Sequence, residues 1–487
     1  MHFLLNYRHI HKISTSQYDI FCRIVALHLH LTGLFSEGND SRLTLDQAQA
    51  YLPRAIAARE AHLADIPNWR KLGHDKELLA VCRERAQQVK AELNPEVFVV
   101  LGIGGSALGN SAILGALAPI FQATHPEPGQ PKCFVLDSVD PDLLDEFFET
   151  IDLKKTHINV ISKSGGTIET SSQFMLAYSL MLKACGNDAT ECAKRFTITT
   201  DPVGGHFRGL CDKFGFATLP VPDGVGGRFS VLSPVGLFTS EMAGLDTESM
   251  LAGAARVADN LQNCAAEDDP ALWYALTHVL YTEQGLDKHV HFAYGHRLRL
   301  LADWYCQLWA ESLGKRHNLD GEEVNVGPTP LKAVGPADQH SQSQLYVEGP
   351  DDKVYTMLKI NKFRREIKLP IVFEDSPACS HLIERSLTEL MEQERLGTEV
   401  ALRERGRPVC VIEMCSLDAF HLGQYFMFLE IATAYAGGIM QVDPYIQPGV
   451  EAGKIAALAL MGCEGHEQRA AEIQQRFDSE EVFKLSC

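Results

Sequence analysis

The sequence predicts an α/β protein of two doubly wound parallel sheets, with helical segments at its N- and C-terminal ends. Three observations carry this. The chain has 487 residues, more than one hydrophobic core ordinarily organises. From Glu96 onward, short continuous apolar runs alternate with helix-period stretches, the rhythm of parallel strands buried on both faces. The rhythm starts again near His289, after a long helical interval.

In chain order, residues 1–38 form an extension expected to lie outside the main fold. It carries His2, His9, His11, His28 and His30, at a spacing too irregular for a metal tract. In residues 39–95, Leu45, Ala48, Tyr51 and Leu52 recur at helix spacing, and helices are expected to pack beside the first sheet. Residues 96–285 make the first α/β unit. Its strands are Val97–Ile103, Lys132–Asp137, Ile158–Ile161, Phe196–Thr199 and Thr218–Val221, and its helices include Leu108–Ile120, Pro141–Ile151 and Ile168–Ala184. Residues 286–440 make the second, with strands Val290–Tyr294, Tyr355–Lys359, Pro370–Phe373 and Val409–Met414 and a helix Leu298–Leu313. Residues 441–487 read as helical.

Composition narrows the function classes. Apolar content of 45% and charged content of 22% are those of a soluble globular chain. A formal net charge of −19 repels nucleic acid and anionic membranes. The 13 cysteines show no C-x-x-C pair, so they fit a reducing cytoplasm better than a disulfide framework or a zinc site. The uncharged run Val97–Phe121 is interrupted by Gly102, Gly104, Gly105, Gly109 and Gly115, which suits a strand turning into a buried helix rather than a membrane span. Ile20–Phe35, broken by Arg23, His28 and His30, does not read as a secretory leader.

Two loops carry chemistry. Val160–Thr170 reads V-I-S-K-S-G-G-T-I-E-T, a strand, then Ser162, Lys163, Ser164, Gly165, Gly166 and Thr167, then a helix. Hydroxyls, an ammonium and glycine amides at a helix N-terminus make an anion cradle; the plain alternative is a Ser/Gly turn capped by Thr167. Val97–Gly109, V-F-V-V-L-G-I-G-G-S-A-L-G, is a second strand, Gly-rich turn and helix start. Gly102, Gly104 and Ala107 match a dinucleotide fingerprint only in its loose form, Asp137 sits late for a ribose partner, and no P-loop occurs. On the helix from Leu298, Leu301, Trp304, Leu308 and Glu311 fall on one stripe, with Gln307 a turn before Glu311. A carboxylate closing an apolar stripe is either a base with a raised pKa or a helix-end Glu that is paired with Lys315 or wet.

With G-G-R-F-S at Gly226–Ser230, these loops resemble the glucose-6-phosphate isomerase family, in that family's order. Gln307–Lys315 resembles the family segment with the catalytic glutamate, placing it at Glu311. Pro328–Gln344 resembles the segment with the catalytic histidine, placing it at His340, and Gln447–Lys454 the one that ends in a catalytic lysine, Lys454. The resemblance spans about Val97 to Lys454. It implies two sugar-isomerase (SIS) domains and interconversion of glucose 6-phosphate and fructose 6-phosphate, a step of glycolysis and gluconeogenesis. It also implies a cytoplasmic homodimer with a shared active site, and no metal or cofactor.

Within that resemblance, Glu311 moves a proton between C2 and C1 through an enediol, Arg228 stabilises the enediolate, and His340 and Lys454 assist ring opening. Gly105, Ser106, Ser162, Lys163, Ser164, Thr167, Gln307 and Gln447 would contact the sugar phosphate. Two departures stand out: Gly166 where the family usually has Thr, and Asn110 where Pro is common. The competing readings are a phosphomannose or bifunctional isomerase of the same fold, and a non-catalytic sugar-phosphate-binding regulator. An assay comparing fructose 6-phosphate with mannose 6-phosphate separates them.

Overall fold

The computed structural model describes residues 27–36, 43–480 and 485. Strand β1 (Leu27–His30) comes first, followed by helices α1 (Leu52–Ala64) and α2 (Lys76–Leu93). The first α/β unit then runs β2 (Val97–Leu101), α3 (Gly105–Leu117), β3 (Lys132–Leu136), α4 (Pro141–Thr150), β4 (Thr156–Ile161), α5 (Ile168–Ala184), β5 (Phe196–Thr200), α6 (His206–Phe214) and β6 (Ala217–Pro220). Three helices follow, α7 (Pro234–Met242), α8 (Thr247–Asn263) and α9 (Pro270–Glu283).

The second unit runs β7 (Lys288–Tyr294), α10 (Arg299–Leu313), a hairpin of β8 (Lys315–His317) and β9 (Glu323–Val326), β10 (Thr329–Gly335), α11 (Gln339–Glu348), β11 (Lys353–Lys362), α12 (Leu387–Glu404) and β12 (Val409–Ser416). Helices α13 (Ala419–Ile439), α14 (Pro448–Leu460) and α15 (Glu467–Ser479) end it.

Two five-stranded sheets result. The first has the order β3-β2-β4-β5-β6 and is parallel throughout. The second has the order β1-β12-β11-β7-β10 and is parallel except for β1. The strand pleat sorts side chains between layers. In β2, Phe98 and Val100 enter the large central core, whereas Val97, Val99 and Leu101 face an outer core with Phe174 and Met181 of α5. The central core also takes Val354 and Ile412 of the second sheet and nearly all of α13, so one continuous apolar mass joins both sheets. Each fully buried Leu, Ile or Phe there contributes about 1.5–3 kcal/mol.

Most elements fall where the sequence places them, α5 to the residue. Four differ for physical reasons. The first-sheet helix begins at Gly105, because Gly104 turns the chain at φ +56°, and it ends at Leu117, since Pro119 disfavours helical backbone before it. Pro370–Phe373 is no strand. Pro370 lacks a donor, Val372 N–H bonds back to the Pro370 carbonyl, and Phe373 has φ +56°. Strand β10, with Pro330 inside it, is tolerated because it is a sheet edge. Strand β1 corrects the expectation that the segment 1–38 lies outside the main fold, at its residues 27–30. Leu27–His30 pairs antiparallel with β12, and His30 Nε2 lies 3.0 Å from Glu413, so this segment supplies the other edge of the second sheet. His2, His9 and His11 lie outside the described residues. No described helix is long and apolar enough to cross a membrane, and Val97–Phe121 is strand plus helix.

Candidate active site

The Ser/Gly loop follows β4 at the carboxyl end of the first sheet, where open parallel sheets bind ligands. Its carbonyls are tied down. Thr200 Oγ1 donates to those of Ser162 (2.8 Å) and Lys163 (3.1 Å), and His206 N–H donates to that of Ser164 (3.0 Å). Its hydroxyls are oriented by its own amides: Gly165 N–H donates to Ser162 Oγ and Gly166 N–H to Ser164 Oγ, both at 3.1 Å. A serine oxygen that accepts keeps its proton free to donate. Thr167 is the N-cap residue of α5, yet its side chain makes no capping bond. The Thr167 cap of the plain-turn reading is therefore not made, while the Ser162 and Ser164 bonds to the loop's own amides suit a turn as well as a cradle.

Gly165 has φ +68°, and a Cβ there would sit 2.5 Å from Phe207 N, so both backbone and space require glycine. A Cβ on Gly166 would meet only Ser164 Oγ at 3.5 Å. The threonine that the resemblance leads one to expect there would therefore fit. Asn110 Nδ2 donates to the Ser106 carbonyl, while its buried Oδ1 has no partner.

The Gly-rich turn after β2 approaches two other parts of the chain. A Cβ on Gly105 would lie 2.1 Å from the Gly227 carbonyl oxygen, and one on Gly104 would lie 2.9 Å from Gln307 Nε2. Thus Gly104–Ser106, the Gly226–Ser230 turn and the C-terminal half of α10 meet at one place. Lys163 Nζ donates to the Val225 carbonyl and ties the Ser/Gly loop to the same region.

Arg228 is the hub. Only 3% of its side chain is exposed. Its Nε donates to Ser312 Oγ (2.8 Å) and its Nη1 to Glu311 Oε2 (3.1 Å) and Gln447 Oε1 (2.9 Å). Its Nη2 donates to the carbonyls of Pro444 and Ile446. Burial lowers its pKa and Glu311 opposes that shift, but a guanidinium stays charged in either case.

Glu311 closes a stripe in which Leu301, Trp304 and Leu308 are buried. Its own side chain is 30% exposed, so it stands at a wet edge rather than deep in the core. Gln307 Nε2 donates to its Oε1 (3.2 Å). Its ion-pair partner is Arg228, not Lys315. The buried Lys315 ammonium donates instead to the backbone carbonyls of Glu311 and Ser312, both at 2.7 Å, and caps the end of α10. Burial, reinforced by Arg228, pushes the Lys315 pKa down to about 8. Sequence reasoning missed Ser312 and this capping role; the Glu-Ser-x-x-Lys spacing at a helix end was the available signal.

His340 and Lys454 do not join this cluster. His340 is exposed at the start of α11, past the carboxyl end of β10, and its ring makes no hydrogen bond among the described residues. Gly335 pairs with Tyr294 at that end of the second sheet. Helix α10 starts there and runs back for twelve residues to Glu311, about 18 Å at 1.5 Å per residue. The Glu311 end meets the opposite end of β10, where a Cβ on Gly327 would touch Gly314. Lys454 lies in the second turn of α14, partly exposed, with its ammonium 2.8 Å from Glu451.

Two doubly wound sheets, a Ser/Gly loop at the carboxyl end of the first and a carboxylate–guanidinium pair are the features of a sugar-isomerase fold. Residues 87–480 match the family model described as phosphoglucose isomerase. The chain is 39% identical over 424 residues to a glucose-6-phosphate isomerase of Rubrobacter xylanophilus, covering 87% of this chain and 96% of that protein. It is likewise 39% identical over 400 residues to one of Carboxydothermus hydrogenoformans, covering 82% and 85%. Among solved structures, a hypothetical protein of Thermus thermophilus superposes with a TM-score of 0.78 at 32% identity, covering 88% of this chain and 98% of that one. A glucose-6-phosphate isomerase of Chlamydia trachomatis, at 20% identity and a TM-score of 0.76, shares the fold over 90% of each chain. This chain belongs to the phosphoglucose isomerase family.

Proposed function

We propose that the cluster around Arg228 and Glu311 is the reaction centre of an aldose–ketose isomerase. As a member of its family, the chain interconverts glucose 6-phosphate and fructose 6-phosphate. The observation that carries the residue assignment is the convergence of Glu311, Arg228, Gln307 and Gln447 beside the Gly104–Ser106 turn. In the open-chain sugar, Glu311 takes the C2 proton and returns it at C1. The electrons left behind move toward the carbonyl oxygen, giving an enediolate that Arg228 stabilises. Because Arg228 is fixed by five hydrogen bonds before substrate arrives, little reorganisation accompanies charge development. Ser162, Ser164 and Thr167 hold the phosphate, with Lys163 adding positive charge. Gly105, Ser106, Gln307 and Gln447 contact the sugar, and His340 and Lys454 assist ring opening.

The loop assignment is tested by Ser164→Ala and Thr167→Ala. Each removes a donor to a charged phosphate, a bond worth about 1.5–3 kcal/mol, so KM for fructose 6-phosphate should rise about tenfold or more. An unchanged KM in both variants removes the loop from the site.

Lys315 bears on pH dependence. Its ammonium holds the carbonyls of Glu311 and Ser312, and above about pH 8 it loses its proton and with it the charge-assisted bonds. Turnover should fall through that region, and Lys315→Arg, which stays charged, should move the alkaline limb upward. An identical limb in both proteins assigns it to another group.

Activity is expected to survive extensive chelation. No group of three His, Cys, Asp or Glu suited to a metal occurs among the described residues, and the proton transfer proposed needs none. Loss of activity on chelation, restored by one divalent metal, contradicts this. The protein is further proposed to be a cytoplasmic homodimer with the site shared between subunits. Free cysteines among the described residues suit a reducing compartment. The distance between His340 and Glu311 within one chain supports sharing.

A further inference from the structure

We propose that Arg297 and Arg364 are positioning residues for the isomerisation: from the second unit they clamp the far end of α3, and so fix where its near end meets the reaction centre. The inference rests on the reading of the Arg228–Glu311 cluster as that centre. Helix α3 belongs to the first unit and α10 to the second, and the two lie antiparallel. At one end a Cβ on Gly104 would lie 2.9 Å from Gln307; at the other, a Cβ on Gly115 would lie 2.9 Å from Leu300. The near end of α3 bears directly on the chemistry. Gly105 packs against the Gly227 carbonyl, one residue before Arg228, and Gln307 donates to Glu311.

The far end of α3 leaves carbonyls without a helical donor. Leu117 is its last residue, and Pro119 has no N–H to give. Two guanidinia fill the gap. Arg297, in the turn between β7 and α10, donates through Nη1 to the carbonyls of Ala116 (3.3 Å) and Ala118. Arg364, just past β11, donates to those of Leu117 (3.0 Å) and Ala116 (3.1 Å). The Ala116 carbonyl therefore accepts from both. Burial lowers the Arg297 pKa and Arg364 lowers it further, so the two cations oppose each other. Asp418 favours the Arg364 charge, and the negative end of the α3 dipole favours both. A guanidinium stays charged throughout. Two repelling cations on one helix end are more than a cap requires, and both come from the carboxyl ends of second-sheet strands. They tie that sheet to α3. Apolar packing between α3 and α10 is non-directional, whereas these bonds fix a position along the helix axis. Helix α3 has 13 residues, about 20 Å at 1.5 Å per residue. A rigid rod of that length passes a shift at Ala116–Ala118 on to Gly105.

The test is steady-state kinetics on fructose 6-phosphate with Arg297→Met, Arg364→Met and the double variant, each checked for the wild-type circular dichroism spectrum. Turnover should fall in each, by about a hundredfold in the double variant, the scale on which a displacement of about 1 Å acts. KM should stay near the wild-type value, because the Ser/Gly loop that holds the phosphate precedes a different helix, α5. Arg297→Lys and Arg364→Lys keep a charge and a donor on a stem of methionine's length, so they should lose less turnover than the methionine variants. Arg364 is exposed, and its variants keep the test available where Arg297→Met folds poorly. Wild-type turnover in every folded methionine variant, with or without a lower melting temperature, overturns the proposal. So does a loss equal in the methionine and lysine variants. Glu311→Gln is the control. If it is inactive while the methionine variants are normal, only the clamp fails; if it is active, the reading of the centre fails with it.

Discussion

Glu311→Gln should lower turnover by at least about two orders of magnitude while leaving substrate binding largely intact. The amide oxygen can still accept from Arg228, and the amide NH2 can donate to Gln307 Oε1 once that side chain flips, so the shape of the site survives. An amide cannot take the C2 proton at neutral pH, and loss of a positioned general base typically costs about 10²–10⁴-fold. The bland alternative is that the variant acts through Arg228, whose buried guanidinium loses its carboxylate partner. The two are separable. Arg228 keeps its bonds to Ser312, Gln447, Pro444 and Ile446, so thermal stability should change little and KM should stay near normal. A parallel fall in melting temperature and affinity would mark a structural role. Near-normal turnover would mean that another residue is the base.

The site was legible in the sequence where its parts are local. The Ser/Gly loop is one strand-to-helix turn, and its glycine requirement at Gly165 follows from a single φ. Helix α5 was legible to the residue because the Gly-rich loop ends just before it and Phe174, Ala177 and Met181 recur at helix spacing. The Glu311 stripe was legible from spacing alone.

What was not legible is long-range. Arg228 meets Ser312 across 84 residues and Gln447 across 219, and no local pattern encodes either contact. Only the resemblance brought those segments together. The same limit explains the strands. Leu27–His30 alternates apolar and polar at period two, but its partner β12 lies far along the chain. Strand β10 hides behind Pro330, which an edge position permits and a central one would not. Pro370–Phe373 failed for the converse reason: an apolar tetrapeptide resembles a strand until a proline and a positive φ remove it from any ladder.

Chains carrying Glu311→Gln and chains carrying His340→Ala, each nearly inactive alone, should recover about a quarter of wild-type activity when unfolded together in equal amounts and refolded. The premise is geometric. His340 lies past the Arg299 end of α10 and Glu311 near its other end, with about 18 Å of helix between Arg299 and Glu311, which argues against both acting on one sugar within a chain. Exposed apolar side chains near His340 are consistent with burial against a second copy: Leu345 on the same helix, and Leu396 and Val400 on α12, which packs against it. In the proposed two-fold dimer each chain would lend its His340 to the other. In a mixed dimer one site then receives both substitutions, and the other keeps both Glu311 and His340. Random pairing makes half the dimers mixed, and half of their sites are intact, which gives the quarter. If His340 served its own chain, every site would hold one defect and no activity would return. Heterodimers verified by mass or tag, yet no more active than either parent, would sink the shared site.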